Sequence, residues 1–321
     1  MTPSPTGPGP IPDTVLRSLD LTVRRRLEGL LPGDQPTPAT GVGTELAQIR
    51  PYRPGDDVRQ LDWNATARTG EPHVRVHVAE RSVTTWLLLD LSPSMAFGTA
   101  DRLKVDVAEG IANTVGRLAT RRGNRLGVMT FGGPEPRVLP PRQGRSGLHG
   151  AIEASRQFGA PELHPDGRME IAAAASRNGD RADRSELAEA LRRAGGLARS
   201  RSLLVVVSDF RGPRDWVTPL RALAARHGVL ALEIVDPREQ ELPDVGELVL
   251  ADPETGRQLR VDTRSAKLRE RFAEEAAAER AELARELRRS GADHAVLSTS
   301  GDWLRILARF LGGRARGRPR R

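Results

Sequence analysis

The chain has 321 residues, 38% of them hydrophobic, enough for one large domain with an appendage or for two domains. It contains no cysteine, which excludes disulfides, thiol nucleophiles, iron–sulfur clusters and cysteine zinc sites; any metal would have to be held by oxygen or histidine. The formal charge of +8 is carried by arginine, with Lys104 and Lys267 the only lysines, and acids are interleaved along most of the chain, as on a solvated surface.

Residues 1 to about 11 are rich in Pro, Gly, Ser and Thr and are expected to be disordered, followed by a short helix on Val15, Leu16, Leu19, Leu21 and Leu27. The start lacks a basic residue ahead of an apolar stretch, and apolar runs such as Trp86 to Leu89 are far too short to span a membrane. Both features point to the cytoplasm. A leader over 1–40 gives way to a compact segment, 41–80. There Arg53-Pro54-Gly55-Asp56 suits a type II turn, because Pro presets the first central residue and Gly accepts positive φ at the second. His73-Val74-Arg75-Val76-His77-Val78 alternates strictly and predicts a strand. Its histidines lie about 13 Å apart along an extended chain, too far for a shared ion. Trp63 is expected to anchor this small β-segment to the main domain by packing.

From residue 83 the pattern becomes apolar strand, loop, amphipathic helix, repeated. Strands are predicted over Val83 to Leu89, Leu126 to Phe131, Ser202 to Ser208 and Val229 to Val235, with a short edge strand at Val138-Leu139 and a last one at Ala295 to Leu297. Helices are predicted over Arg102 to Arg122, Gly147 to Ser155, Trp216 to Arg226 and Arg264 to Arg289, and around Trp303 to Leu311. Asp183 with Glu186 reads as a capping-box start to another, which Gly195-Gly196 ends, after an irregular stretch from about 157 to 183. Glu247 to Leu250 and Gln258 to Val261 are expected to pair as a hairpin. The resulting fold class is α/β: a doubly wound, mostly parallel sheet of Rossmann type over 81–312, with a small N-terminal β-segment. In such sheets ligands bind outside the carboxyl ends of the strands.

Asp90 stands at such an end, with Ser92 and Ser94 following at alternate positions, and the Ser202 strand also ends in an acid, Asp209. Two carboxylates and two hydroxyls are hard oxygen donors that suit Mg²⁺ or Mn²⁺. An acid after a strand also serves as the N-cap of the next helix, so each aspartate has that plainer reading. A metal-dependent phosphoryl hydrolase would share an acid at a strand end, but Ser92 stands where a dehalogenase-like phosphatase places its second acid, and no general base is evident. There is no phosphate loop ending in Lys-Ser or Lys-Thr, so ATP hydrolysis is not expected. The tail 313–321, with Arg316-Gly317-Arg318-Pro319, resembles a single minor-groove hook and leaves nucleic-acid binding as a further alternative; a disordered basic tail is the plainer account.

Leu89-Asp90-Leu91-Ser92-Pro93-Ser94-Met95 resembles the metal-ion-dependent adhesion site of von Willebrand factor A domains, and Val206-Val207-Ser208-Asp209-Phe210 resembles the later strand that contributes their second acid. The segment from Tyr52 to Trp63, followed by Ala67-Arg68-Thr69-Gly70, resembles the signature of the bacterial domain-of-unknown-function family fifty-eight, whose members carry such a domain. The likeness runs from about residue 43 to 311. It implies a von Willebrand factor A-like domain and a metal held by Asp90, Ser92, Ser94 and Asp209, with Ser146 as the hydroxyl from a middle loop. It further implies a non-catalytic protein-binding module whose partner presents an Asp or Glu to the metal, and association with a MoxR-type AAA+ ATPase or its client.

Overall fold

The computed structural model describes residues 45–78, 83–99, 101–120, 124–144, 146–147, 149–150, 162–163, 169–170, 185–251 and 257–313. The expected leader and its helix, most of the irregular stretch expected over about 157 to 183 and the basic tail from 314 lie outside them, as does most of the helix expected over 147–155. The described residues fall into two compact units, one within residues 31–82 and one from Val83 onward.

In the first unit, β1 (Glu45–Pro51) pairs antiparallel with β2 (His73–Val78). The turn between them is as its sequence requires: Asp56 N–H donates to the Arg53 carbonyl at 3.0 Å, and Gly55 takes φ 104°. Arg50 grips Asp56 through two bonds of 2.8 Å, and these, with the Arg53 N–H bond and the attraction of both guanidiniums, hold the Asp56 carboxyl below its ordinary range. A helix not expected from the sequence follows, α1 (Trp63–Thr69), capped by Asp62, whose Oδ1 accepts from Asn64 and Ala65 N–H at 3.0 Å while Oδ2 accepts from Arg75 at 2.9 Å. Trp63, expected to be a packing anchor, is instead the first helical residue and 71% exposed.

The second unit is built on a six-stranded sheet of β3 (Thr84–Asp90), β4 (Arg125–Phe131), β5 (Val138–Gln143), β8 (Leu203–Ser208), β9 (Gly228–Val235) and β12 (Asp293–Ser298), in the order β12-β9-β8-β3-β4-β5. All neighbours run parallel except β5, which closes one edge antiparallel to β4. Two short antiparallel pairs are peripheral: β6 (Glu162–Leu163) with β7 (Met169–Glu170), and β10 (Glu247–Ala251) with β11 (Gln258–Asp262). The helices are α2 (Lys104–Ala119), α3 (Glu186–Leu197), α4 (Val217–Arg226), α5 (Ala266–Arg289) and α6 (Trp303–Gly313). α3 is capped by Ser185, whose hydroxyl accepts from Ala188 N–H at 3.2 Å and donates to Asp215 at 2.5 Å, so the cap falls two residues after the expected Asp183.

Period-two alternation divides the core. Leu87 and Leu89 of β3 face α2 and α6, whereas Trp86 and Leu88 face α3 and α4, and all four are at most 2% exposed. Each such side chain stabilises the fold by about 1.5–3 kcal/mol, and a sheet covered on both faces explains why its strands are near-continuous apolar runs. Gly110 shows how tightly the layers close. A Cβ added there would come within 2.4 Å of the Trp303 ring of α6. In an open helix Gly to Ala gains about 1 kcal/mol. Here the order inverts, so Gly110→Ala is expected to lower stability by about 1–3 kcal/mol in urea melts. A stabilised variant would mean that Trp303 can move aside.

Candidate functional site

Strand order fixes the place of the site. From β3 the chain winds outward to β4 in one direction, and from β8 through β9 to β12 in the other, so the crevice between β3 and β8 is the switch point of the sheet. Leu89 pairs with Val207 across it, which brings Asp90 beside Ser208 and Asp209. Both aspartates are 5% exposed. Neither caps a helix: the N-cap of α2 is Leu103, whose N–H donates to Asp106 at 2.8 Å, and α4 is led in by a 3-10 turn capped by Pro213.

Asp90 is held by two strands. Its Oδ1 accepts from Ser92 N–H at 2.9 Å, its Oδ2 from the Ser208 hydroxyl at 2.5 Å, and Ser208 Oγ in turn accepts from Phe210 N–H at 2.9 Å. This pulls Phe210 into the left-handed region at φ 54°, a strained setting for a bulky residue that is retained where a tight loop demands it. Gly132, after β4, closes the opposite wall, where a Cβ would stand 2.7 Å from Asp90 Oδ1. Burial, then the neighbouring charge of Asp209, push the Asp90 carboxyl up to about 7, only partly offset by hydrogen bonds from Ser208 and Ser92.

Asp209 is buried as deeply yet ends below the ordinary carboxylate range. Burial acts to raise it, but the Lys104 ammonium, 2.8 Å from Oδ2, outweighs this, helped by Arg211 N–H at 3.2 Å and by Ser94. Lys104 also lies 2.5 Å from Glu239, and its side chain is fully buried. Sequence reasoning overlooked Lys104, Glu239 and Asp236. The signal for Asp236 was present, since it is the third acid to follow an apolar strand. It accepts from Thr99 N–H at 2.8 Å, from Thr99 Oγ1 at 2.7 Å and from Thr299 Oγ1 at 2.7 Å, tying the loop after Asp90-to-Ala96 to the strand ends.

The structure thus brings together Asp90, Ser92, Ser94 and Asp209, and it places Ser146 elsewhere. Because β5 runs antiparallel, Gln143 at its end lies opposite Arg125 at the start of β4, on the far edge of the sheet. Ser146, exposed and helical just beyond, is separated from Asp90 by about a strand length, roughly 20 Å.

Could a hard cation fit? Among the described residues no three His, Asp or Glu side chains converge on one point, so the serines would have to contribute. Their hydroxyl oxygens are 3.1 Å apart, close to the edge of about 2.9 Å expected for an octahedron with bonds of about 2.05 Å. The two hydroxyls hydrogen-bond to one another at this distance, and Ser92 also hydrogen-bonds to Asp90 and Ser94 to Asp209, so a cation between them would take the place of their mutual bond. With Asp90 uncompensated beside them, these donors fit Mg²⁺ or Mn²⁺. Beside Asp209 opens a cleft of about 230 Å³ lined by Phe210, Arg211, Arg214, Glu239, Phe272 and Leu283.

The state of Asp90 has a pH signature. Its folded-state carboxyl binds a proton that the unfolded chain has already released, so it costs stability as pH rises from the ordinary carboxylate range through about 7. His227, depressed by burial and by Arg226 and Arg201, acts oppositely, costing stability at low pH, so the comparison must be with a variant. Without divalent cations, Asp90→Asn is expected to melt higher than the parent at about pH 8, with the gap closing towards about pH 5. A gap that does not vary with pH would show that Asp90 carries no uncompensated charge.

Comparison with known proteins places these residues in context. The chain is 43% identical over 304 residues to uncharacterised protein Mb1516 of Mycobacterium bovis, covering 94% of this chain and 89% of that protein. It is 48% identical over 141 residues to uncharacterised protein MAV169 of Mycobacterium avium, covering 43% of this chain and 80% of that one. Among solved structures it is similar to conserved hypothetical protein BatB of Bacteroides thetaiotaomicron, at 15% identity and TM-score 0.43, over 73% of this chain and 99% of that one. It is also similar to a von Willebrand factor type A protein of Catenulispora acidiphila, at 12% identity and TM-score 0.38, over 73% of this chain and 44% of that one. The family model described as "Protein of unknown function DUF58" matches residues 48–282, and the chain belongs to that family.

Proposed function

We propose that this protein is a non-catalytic binding module that recognises an acidic group on a protein partner at the Asp90-Ser92-Ser94-Asp209 edge, with Mg²⁺ or Mn²⁺ as cofactor. The observation that carries the reading is the pairing of an uncompensated buried carboxylate with two hydroxyl oxygens 3.1 Å apart at the switch point of the sheet. Asp90, Ser92 and Ser94 would hold the cation, and Asp209 would stand behind them. A cation bound by so few protein charges remains electrophilic and supplies an attachment point for an Asp or Glu of the partner. Asp90 and Ser92 are locked by the strand ends and by Ser208, which favours rigid presentation over turnover. Asp209 is neutralised by Lys104 and so is not poised as a general base.

Membership of the family leads us to place the module with a MoxR-type AAA+ ATPase or its client, as an adaptor in protein assembly or maturation. Among the described residues no helix is long and apolar enough to cross a membrane.

The decisive experiment is a pull-down with the full chain in Mg²⁺ and in EDTA, partners being identified by mass spectrometry. Binding is expected in Mg²⁺, and to be lost in EDTA, with Asp90→Ala and with the double variant Ser92→Ala/Ser94→Ala. Retention of every partner under all four conditions would sink the adhesion reading. Turnover of a phosphate ester that vanishes with Asp90→Ala would replace it by a hydrolase.

A further inference from the structure

Lys104 belongs to the site without being one of the candidate cation ligands. It is the first residue of α2, its side chain is fully buried, and its ammonium bridges two carboxylates from different strand ends, Asp209 at 2.8 Å and Glu239 at 2.5 Å. Glu239 is itself fixed, since its Oε2 accepts from Asp236 N–H at 3.1 Å, within the cap that follows β9. Arg211 also approaches Glu239, at 3.4 Å, but its side chain is 54% exposed and screened. The socket therefore holds one buried cation against two acids, built by β8, β9 and α2 together. A long flexible side chain is not buried in such a place without partners, and here both partners are charged.

We propose that Lys104 is a resident counter-ion that withdraws Asp209 from an incoming divalent cation, so that the site binds metal weakly until a partner carboxylate completes it. This rests on the reading above that the site takes Mg²⁺ or Mn²⁺. Asp209 already accepts from Lys104 and from Arg211 N–H, and it is hydrogen-bonded to Ser94, so its lone pairs are largely used. An added cation finds one uncompensated carboxylate, Asp90, two hydroxyls, and a fixed positive charge behind Asp209. Lys104 is thus a positioning residue. It touches neither the partner nor the cation, and it sets how strongly the empty module competes for metal.

Removal of the ammonium frees Asp209 and leaves two acids facing the cation, which makes a gain of affinity the signature. A merely structural lysine would produce no gain. The full chain is titrated with Mn²⁺, free ion being followed by electron paramagnetic resonance and heat by calorimetry, for the parent and Lys104→Met. The charge-balanced double variant Lys104→Met/Glu239→Gln removes one positive and one negative charge, and it decides the matter if the single variant fails to fold by circular dichroism. Both variants are expected to bind Mn²⁺ about tenfold or more tightly than the parent. If the parent binds Mn²⁺ and the folded variants bind it equally or more weakly, the role given to Lys104 is wrong while the metal reading stands. If neither parent nor variants bind Mn²⁺, both fall together.

Discussion

Two carboxylates at the ends of adjacent parallel strands repel one another in a crevice that leaves each only 5% exposed, and the surrounding structure is organised around that repulsion. The register of β3 with β8 brings them together, because Leu89 and Val207 are side by side, Asp90 follows the first directly and Asp209 follows the second after Ser208. The two are treated unequally. Asp209 receives an ammonium and falls below the ordinary range, whereas Asp90 receives hydroxyl and amide donors only and rises to about 7. Hydrogen bonds to neutral donors offset burial less well than an opposite charge does. One acid is therefore satisfied internally, and the other is left with a preference for something positive.

The loops that crowd the crevice serve this asymmetry. Ser208 bridges the Asp90 carboxylate and the strained Phe210 amide, so the two strand ends cannot separate without breaking the Ser208–Asp90 bond. Asp236 fastens Thr99 and Thr299 and thereby steadies the loop that precedes α2, from which Lys104 projects. The apolar layers beneath permit little adjustment, as the contact between Gly110 and Trp303 illustrates. A site mounted on such a base changes charge more readily than shape.

The smaller unit is braced by a separate set of ion pairs. Asp56 and Asp62 each close a local structure, the first gripped by Arg50 at a turn and the second capping α1 and meeting Arg75. Asp56 and Asp62 of the Tyr52-to-Trp63 segment are therefore explained by folding within that unit, while Trp63, exposed at the head of α1, is not.

Much of the larger unit was legible in the sequence, because apolar runs bounded by turns report burial directly. The strands beginning at Val83, Leu126, Ser202 and Val229, the hairpin near 250 and 260, and the placement of Asp90 and Asp209 at one edge all followed from local pattern and the rules of parallel sheets. The short helix α1 did not, since seven residues give too little periodicity to distinguish it from a turn. Ser146 was misplaced because strand direction leaves no trace in hydrophobicity: antiparallel β5 carries the chain to the opposite edge, and no pattern within residues 138–146 could say so. Lys104 meets Asp209 from 105 residues away and Glu239 from still farther along the chain, and a lone lysine at a helix start looks like surface. What the sequence determined by itself was the inventory of donors and the edge on which the acids emerge, since both depend on local burial. Which acid is neutralised, and by what, was decided only by the tertiary structure, because charge compensation acts through space between residues that the chain keeps far apart.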